Sequence, residues 1–476
     1  MEDIEGISRS LQAIIGQEWV SNSEVDQEVY THLNQASKFI RGKPDIIVLP
    51  GSTEEVSRVV AFADRNRIPI VSRGAGEMFE GPAIPLQAGI VLSISRMDKI
   101  LEINEDNMVA LVEGGCSMYG LFHQLEIRGL RFPCSAVFTS GPLAGSTVAV
   151  GSNGVFGSRY GVFGDQVVGL EVVLASGEIV TLGTGAAPGY GHWYKYTGYS
   201  NPMGLFIQSI GTLGVITKVA WRIVPKPKFQ ELVAFGWPME KLEEASRAFH
   251  RLEALGTYNI DVWNHWCFWS AIKQGKLPPL PPDVEVLGLF VQDGNSEAEV
   301  KAKKKDVEEI CTDYGGQNLT GRGYIEYAFG PPAYMYWSPH SSHYYAKRAL
   351  KTIGAYIYYR HPIIKFGEQY VLWRNILEKY GFWNDLGVPR YRAFGEAPAS
   401  LGPYPCWNAL LEQKAKAWEA LQEWHEELIR TGAMPYCMGP MWPKKTLDRL
   451  GPQYELMKKI KRLLDPNNIM NPGHLF

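Results

Sequence analysis

Between residues 45 and 76 the chain reads DIIVLPGSTEEVSRVVAFADRNRIPIVSRGAG, and its character changes twice within that stretch. Ile46 to Leu49 is a short β-type run, and Ser52 followed by Glu54 and Glu55 puts an N-cap and acids on the first turn of a helix. Val56, Val59, Val60 and Ala63 recur at helical spacing and fill that helix's inner face. Ile68 to Val71 is then a second buried strand that opens into Ser72-Arg73-Gly74-Ala75-Gly76. A strand running into a Gly-rich turn is where backbone N–H groups converge on an anion. The stretch predicts a strand, a helix and a strand with a binding turn at the end.

Working outward, Ile90 to Gly114 alternates like an antiparallel hairpin, with Asn104 to Asn107 as its turn, and a helix is expected near Met118 to Arg128. Residues 133–165, PCSAVFTSGPLAGSTVAVGSNGVFGSRYGVFGD, carry glycines at 141, 145, 151, 154, 157, 161 and 164 and almost no charge. Such a segment makes neither a good helix nor a good strand interior, and its Val and Phe residues set it apart from a solvated linker. It reads as glycine-lined backbone packed against a flat, largely apolar ligand. Val167 to Leu182 reads as a hairpin around Ser176-Gly177, and residues 205–224 enter a further β-run. After Pro225 and Pro227 the composition shifts, and residues 228–439 hold most of the Trp and Tyr together with amphipathic helices at Leu242 to Leu255, Ala298 to Tyr314 and Ala409 to Arg430. A basic helix and an Asn-Pro-Gly turn end the chain.

The 476 residues predict two or three domains. With 47 basic and 50 acidic residues the net charge is −3 and no block of one sign stands out, which argues against nucleic acid and against a polybasic membrane anchor. No run of about 18 apolar residues suggests a membrane span, and the acidic start MEDIEG does not resemble a signal peptide, so a cytoplasmic location is expected. Six dispersed cysteines (Cys116, Cys134, Cys267, Cys311, Cys406, Cys437) form no CxxC pair, so neither a zinc site nor a dithiol redox centre has its spacing.

VLPGSTEEV, SRGAGEMFEGPAIPLQAGIVLSISRM, RYGVFGDQVVGLEVVLASGEIVTLG, LFIQSIGTLGVITKVAWRIVPKP and LLDPNNIMNPGHLF occur in this order. Taken together they resemble the flavoprotein superfamily named after vanillyl-alcohol oxidase and p-cresol methylhydroxylase, which includes FAD-linked glycolate and D-lactate dehydrogenases. The resemblance implies an α+β protein: a PCMH-type FAD-binding domain of two subdomains (1–226), a cap domain with an antiparallel sheet (227–439), and a C-terminal segment (440–476) that returns to complete the first domain. Ser72, Arg73, Gly74, Ala75, Gly76 and Glu77 are expected at the FAD pyrophosphate. Ser140, Gly141, Gly145, Ser146, Thr147, Gly151 and Ser152 are expected along the pyrophosphate and isoalloxazine. Val215 and Ile216 would meet the adenine side by main chain, and Asn471 would reach the flavin ring. Glu77, Met78 and Phe79 follow the first turn with no histidine, so non-covalent FAD is expected; His192, Tyr404 or a cap histidine are the alternatives.

The chain departs from both branches of that superfamily. Where hydroxy-acid dehydrogenases hold a divalent metal, RAFGEAPASLG and GAMPYCMGP stand here, with Glu396 in place of the first histidine, so no metal is expected. Where the phenol-oxidising branch places its Tyr, Tyr-Arg pair and acid, this chain has Phe79, Tyr436-Cys437 and Ser140-Gly141, and only Tyr436 survives. For hydride delivery and proton removal the cap candidates are His340, His343, Tyr359, Arg360 and His361, with Tyr436 beside them. Trp263, Trp266 and Trp269, three apart, suggest a packed helical stripe, and Lys301 to Lys305 a solvated helix face.

The expected function is FAD-dependent dehydrogenation of a hydroxyl-bearing, aromatic or bulky apolar substrate. The alternative is a metal-independent 2-hydroxy-acid dehydrogenase whose carboxylate is held by Arg360 or Arg392. A reading of another class is a flavin-carrying electron-relay subunit of a larger complex. Expected partners are a small-molecule substrate and an electron acceptor, either dioxygen or a redox protein; a homodimer is admitted.

Overall fold

The computed structural model describes residues 3–31, 39–78, 80–136, 141–190, 193–257, 259–264, 268, 271–329, 352–354, 359–383, 390–393, 398–402, 406–408, 414–442 and 444–476. Its opening unit forms as the residues dictate. Ser52 Oγ accepts from the Glu55 N–H (3.2 Å) and caps helix Thr53–Arg65, which buries Val56, Val59, Val60 and Ala63. Strand Ile46–Val48 precedes it and strand Ile70–Arg73 follows. Ile68 stays outside the strand, since its N–H donates to Ala63 O (2.9 Å) and Pro69 has no N–H for a ladder.

Those two strands are not neighbours. Ile90–Ser93 lies between them, parallel to both, and Val20–Ser21 pairs antiparallel with Ile46–Val48 at the far edge. This corrects the reading of Ile90 to Gly114 as one hairpin. Every residue of Ile90–Ser93 is buried, as a central parallel strand requires, so the apparent alternation begins only further on. The hairpin is Ile100–Asn104 with Val109–Glu113, turned by Asn104 Oδ1 accepting from the Asn107 N–H (2.9 Å). It is one edge of a second, antiparallel sheet in the order Ile179–Leu182, Val167–Val173, Val215–Arg222, Val109–Glu113, Ile100–Asn104. Trp221 anchors the core beneath, edge-on to Phe132 at 5.2 Å.

Among the described residues the third sheet has eight antiparallel strands: Gln317–Asn318, Phe229–Trp237, Val286–Gly294, Asn259–Asn264, Arg390–Ala393, Pro398–Gly402, Tyr359–Pro362 and Met434–Pro435. Side-chain alternation splits its cores. Val233, Phe235 and Trp237 face the cluster under helices Leu242–Ala254, Phe366–Lys379 and Lys414–Arg430, whereas Ala234 faces a second cluster with Phe268 and Tyr324. Trp263 belongs to strand Asn259–Asn264 and not to a helix; its three-residue spacing to Trp266 and Trp269, which lie outside the described residues, misled the periodicity reading. Lys301, Lys303 and Lys305 pair with Glu297, Glu299 and Glu309 along one exposed helix, as a solvated face should.

The C-terminal segment returns to the first sheet. Ile70 N–H donates to Ile469 O (2.7 Å) and Asn471 N–H to Ile70 O (2.7 Å), a parallel bridge that adds the tail to the strand leading into the Ser72 turn. Among the described residues no helix is long and apolar enough to cross a membrane.

Among the described residues three imidazoles are buried as neutral groups. Burial pulls His361 and His474 down to about 4 and His425 to about 3. The unfolded chain binds protons that the folded one refuses, so this stability is fully present above the ordinary histidine value and is lost as pH falls from about 6.5 toward 4. Each should withdraw about 2 kcal/mol by pH 5. Urea midpoints at pH 7 and pH 5 measure it; equal midpoints would contradict three buried neutral imidazoles.

Candidate active site

The Ser72 turn meets the glycine-rich segment at distances that leave no room for side chains. A Cβ on Gly74 would stand 2.6 Å from Ser146 Oγ, and one on Gly145 would stand 2.9 Å from Ile216 O. The Gly145 N–H donates to Gly114 O (2.7 Å), so residues 72–74, 114, 145 and 216 converge on one locus. Val215 and Ile216 sit there as the start of strand Val215–Arg222. Among the described residues the amides of Gly74, Ala75 and Gly76 donate to no acceptor, although Gly74 and Gly76 are only half-exposed. Asn471, at φ +44°, closes the locus by donating Nδ2 to Pro82 O (2.9 Å) and Ile210 O (2.6 Å). Its Oδ1 is buried and has no hydrogen-bond partner among the described residues.

Not every expected ligand group is aimed there. Arg73 turns back to donate to Tyr30 O (2.6 Å) and stacks over the Tyr30 ring, where burial lowers the guanidinium's pKa. Ser146 and Thr147 give their hydroxyl protons to Leu143 O (2.9 and 2.8 Å). The Glu77 carboxyl lies over Gly141, and burial raises its pKa. Ser152 accepts from the Phe163 N–H (3.0 Å) through its carbonyl. Ser140 lies outside the described residues, as do His340 and His343.

A cleft of about 880 Å³ is lined by Gly151, Arg159, Lys195, Tyr196, Gln208 and Arg360 among others, and Gln208 stands two residues before Ile210, whose carbonyl accepts from Asn471. Strand Tyr359–Pro362 supplies Arg360, and alternation decides which candidates reach the cleft. Tyr359 and His361 point the other way: Tyr359 packs edge-on to Trp424 in the buried cluster (5.4 Å), and His361 Nδ1 meets Pro362 O at 2.8 Å. Burial keeps Tyr359 protonated and His361 neutral there. Arg360 instead sets its guanidinium over the Tyr436 ring, 5.4 Å from the centroid. Among the described residues its buried Nε and Nη2 have no hydrogen-bond partner.

Tyr436 joins the halves. Its hydroxyl accepts from the Asn153 N–H (2.7 Å), its carbonyl accepts from Gln208 Nε2 (3.3 Å), and burial holds its phenol proton on, with Arg360 opposing. Among the six cap candidates, the described structure therefore brings Arg360 and Tyr436 together at the cleft and places Tyr359 and His361 behind the sheet. Arg159, Gln208 and Asn153 were not anticipated as contacts. Arg159 had a signal, as the one basic residue in an otherwise almost uncharged glycine-rich stretch. Among the described residues no group of three or more His, Cys, Asp or Glu is arranged to hold a metal ion.

The site fits FAD on its own observations: three undonated amides at a turn suit a pyrophosphate, and the buried Asn471 Oδ1 awaits a donor of the kind a flavin N–H provides. Comparison with known proteins agrees. Residues 44–183 match the FAD binding domain and residues 444–475 the FAD linked oxidases, C-terminal domain. The glycolate oxidase subunit GlcD of Bacillus subtilis (strain 168) is 26% identical over 480 residues, covering 99% of this chain and 96% of that protein. Among solved structures, 4-ethylphenol oxidase from Gulosibacter chungangensis superposes with a TM-score of 0.85 at 19% identity, over 99% of this chain and 97% of that one. p-Cresol methylhydroxylase does so at 0.84 and 20% identity, over 100% and 97%. At those identities the two structures speak for the fold alone. A D-lactate dehydrogenase of Archaeoglobus fulgidus is 33% identical over 445 residues, 90% of either chain; with the turn, the tail and the cleft in place, this chain belongs to the same family of FAD-linked oxidoreductases.

Proposed function

We propose that the protein dehydrogenates a hydroxy carboxylate, with residues 1–226 and 440–476 holding non-covalent FAD and residues 227–439 forming the substrate cap. The observation that carries this reading is the Arg360 guanidinium: two buried N–H-bearing nitrogens without a partner among the described residues, on a residue that lines the cleft. A buried cation donor left unsatisfied is costly, and a substrate carboxylate satisfies both nitrogens at once. The relatives named for glycolate and D-lactate support a carboxylate. Arg360 is assigned the anchoring role on the strength of those two nitrogens. Bound FAD supplies a hydride acceptor at N5. Arg360 orients the acid, and the Tyr436 hydroxyl, fixed by the Asn153 N–H, stands beside it to direct the substrate oxygen.

A second reading keeps the same two residues. A phenolate or aromatic alcohol would set its oxygen on the same two Arg360 nitrogens, with Tyr436 beside it. Anaerobic addition of candidate substrates distinguishes the two: bleaching of the flavin band near 450 nm by 2-hydroxy acids is the expected result, and bleaching by aromatic alcohols only would replace the first reading with the second. Acid precipitation of the same sample should send the yellow colour into the supernatant; colour retained in the pellet would mean a covalent link. An electron-relay role without turnover would show as no bleaching by any small substrate.

A further inference from the structure

A buried three-residue ion cluster crosses the boundary between the two halves. Asp293, in cap strand Val286–Gly294, accepts from Arg131 Nη2 at 2.9 Å and from Arg159 Nη1 at 2.6 Å. Side-chain exposure is 2% for Arg131 and 2% for Asp293 but 39% for Arg159, which lines the cleft. The contact is the polar side of a larger dock. Phe156, held at φ +71°, inserts into the cap cluster around Trp263 and Leu289. Its N–H donates to Asn259 Oδ1 (3.1 Å), and Ser158 Oγ accepts from the Ile260 N–H (3.0 Å). The glycine-rich segment therefore does two things: its first part borders the cofactor locus, and residues 156–159 fasten the cap.

We propose that Asp293 is a positioning residue that locks the cap onto the FAD half and, by gripping one edge of Arg159, presents the rest of that guanidinium to an anionic group of the bound substrate. The inference rests on the hydroxy-carboxylate reading. Arg131 is the brace, wholly buried and away from the cleft; Arg159 is the working arm. Lys195 also lines the cleft, and among the described residues it makes no ion pair, so Arg159, Lys195 and Arg360 set three cationic groups against the one carboxylate, Asp165, on the cleft's lining. Holding Arg159 by a buried carboxylate spares the substrate the cost of ordering a long side chain.

The test uses the FAD-loaded protein and oxalate, a dianion without a hydrogen to transfer, read by the shift of the visible flavin band. Arg159→Met leaves the buried Arg131–Asp293 pair intact, so it should fold normally and weaken oxalate about tenfold. Arg131→Met should lower the thermal midpoint and leave oxalate affinity where it is. Asp293→Asn should do both, and trypsin should cut faster after Lys228 at the junction of the halves. If Arg159→Met binds oxalate like the parent, or if oxalate leaves the parent's band unmoved, Arg159 presents nothing and the inference is overturned. An equal loss of stability in the Arg131 and Asp293 variants with unchanged oxalate affinity would likewise reduce the cluster to a brace. Arg360→Met separates the two ideas: unchanged oxalate binding in that variant alone counts against the anchor reading and leaves the Arg159 arm standing.

Discussion

Arg360→Met should lower kcat/KM for the oxidised acid by about 10²–10³-fold while FAD content and thermal midpoint stay near those of the parent. The direction follows from what the side chain touches. Among the described residues its buried Nε and Nη2 are bonded to nothing, so there truncation removes no hydrogen bond at those atoms and strands no acceptor. The substrate carboxylate would lose its charged partner inside a part-buried cleft, an effect of about 2–5 kcal/mol. Methionine keeps the apolar stem and gives up the guanidinium that lies over the Tyr436 ring, which separates loss of charge from loss of stem packing. Arg360→Lys should recover part of the activity, because an ammonium restores the charge but not the planar pair of donors. Steady-state rates with the best bleaching acid, alongside the flavin-to-protein absorbance ratio, measure this. A change in kcat/KM of less than threefold would mean that the anion lies elsewhere.

Lys461→Met should destabilise the folded protein by about 3–5 kcal/mol and make FAD leak on dilution. Lys461 lies in helix Pro452–Leu464 with its side chain 6% exposed, and its Nζ donates to Asp465 Oδ2 (2.5 Å), Thr212 O (2.8 Å) and Met470 O (2.8 Å). Asp465, fully buried, in turn accepts from the Ile469 and Met470 N–H groups (2.9 and 2.8 Å). The pair therefore shapes the turn that carries Asn471 and ties it to residues 209–214. Burial lowers the lysine's pKa, opposed by Asp465, yet removing the cation leaves a buried carboxylate uncompensated, which is the expensive way to break such a pair. Denaturant midpoints followed by tryptophan and flavin fluorescence report the two effects. If the variant matches the parent in both, the tail is not a structural part of the cofactor locus.

These two sites differ in how far they could be read beforehand. The Asn-Pro-Gly tail was readable as a motif because main-chain geometry at Asn471 depends on a short local string, and the φ of +44° is of the kind that Asn tolerates. The Lys461–Asp465 pair was readable only as charges in a helix end. At four residues apart the two resemble a solvated pair, and only the packing of Thr212 and Met470 around them makes them buried.

Linear sequence by itself determined the capped helix Thr53–Arg65, the undonated turn at Gly74, the second-sheet hairpins and the FAD linkage, because each depends on residues within a few positions or on several motifs in fixed order. Tertiary structure alone decided the rest. It placed Ile90–Ser93 between the two strands of the opening unit, set Trp263 in a strand, and turned Tyr359 and His361 into the core while Arg360 faced the cleft. It also gave Phe156 and Arg159 to the cap. The reason is physical: which face of a strand meets a cleft depends on partners tens to hundreds of residues away, as with Arg159 and Asp293 or Asn153 and Tyr436, and no local periodicity encodes which partner will stand there.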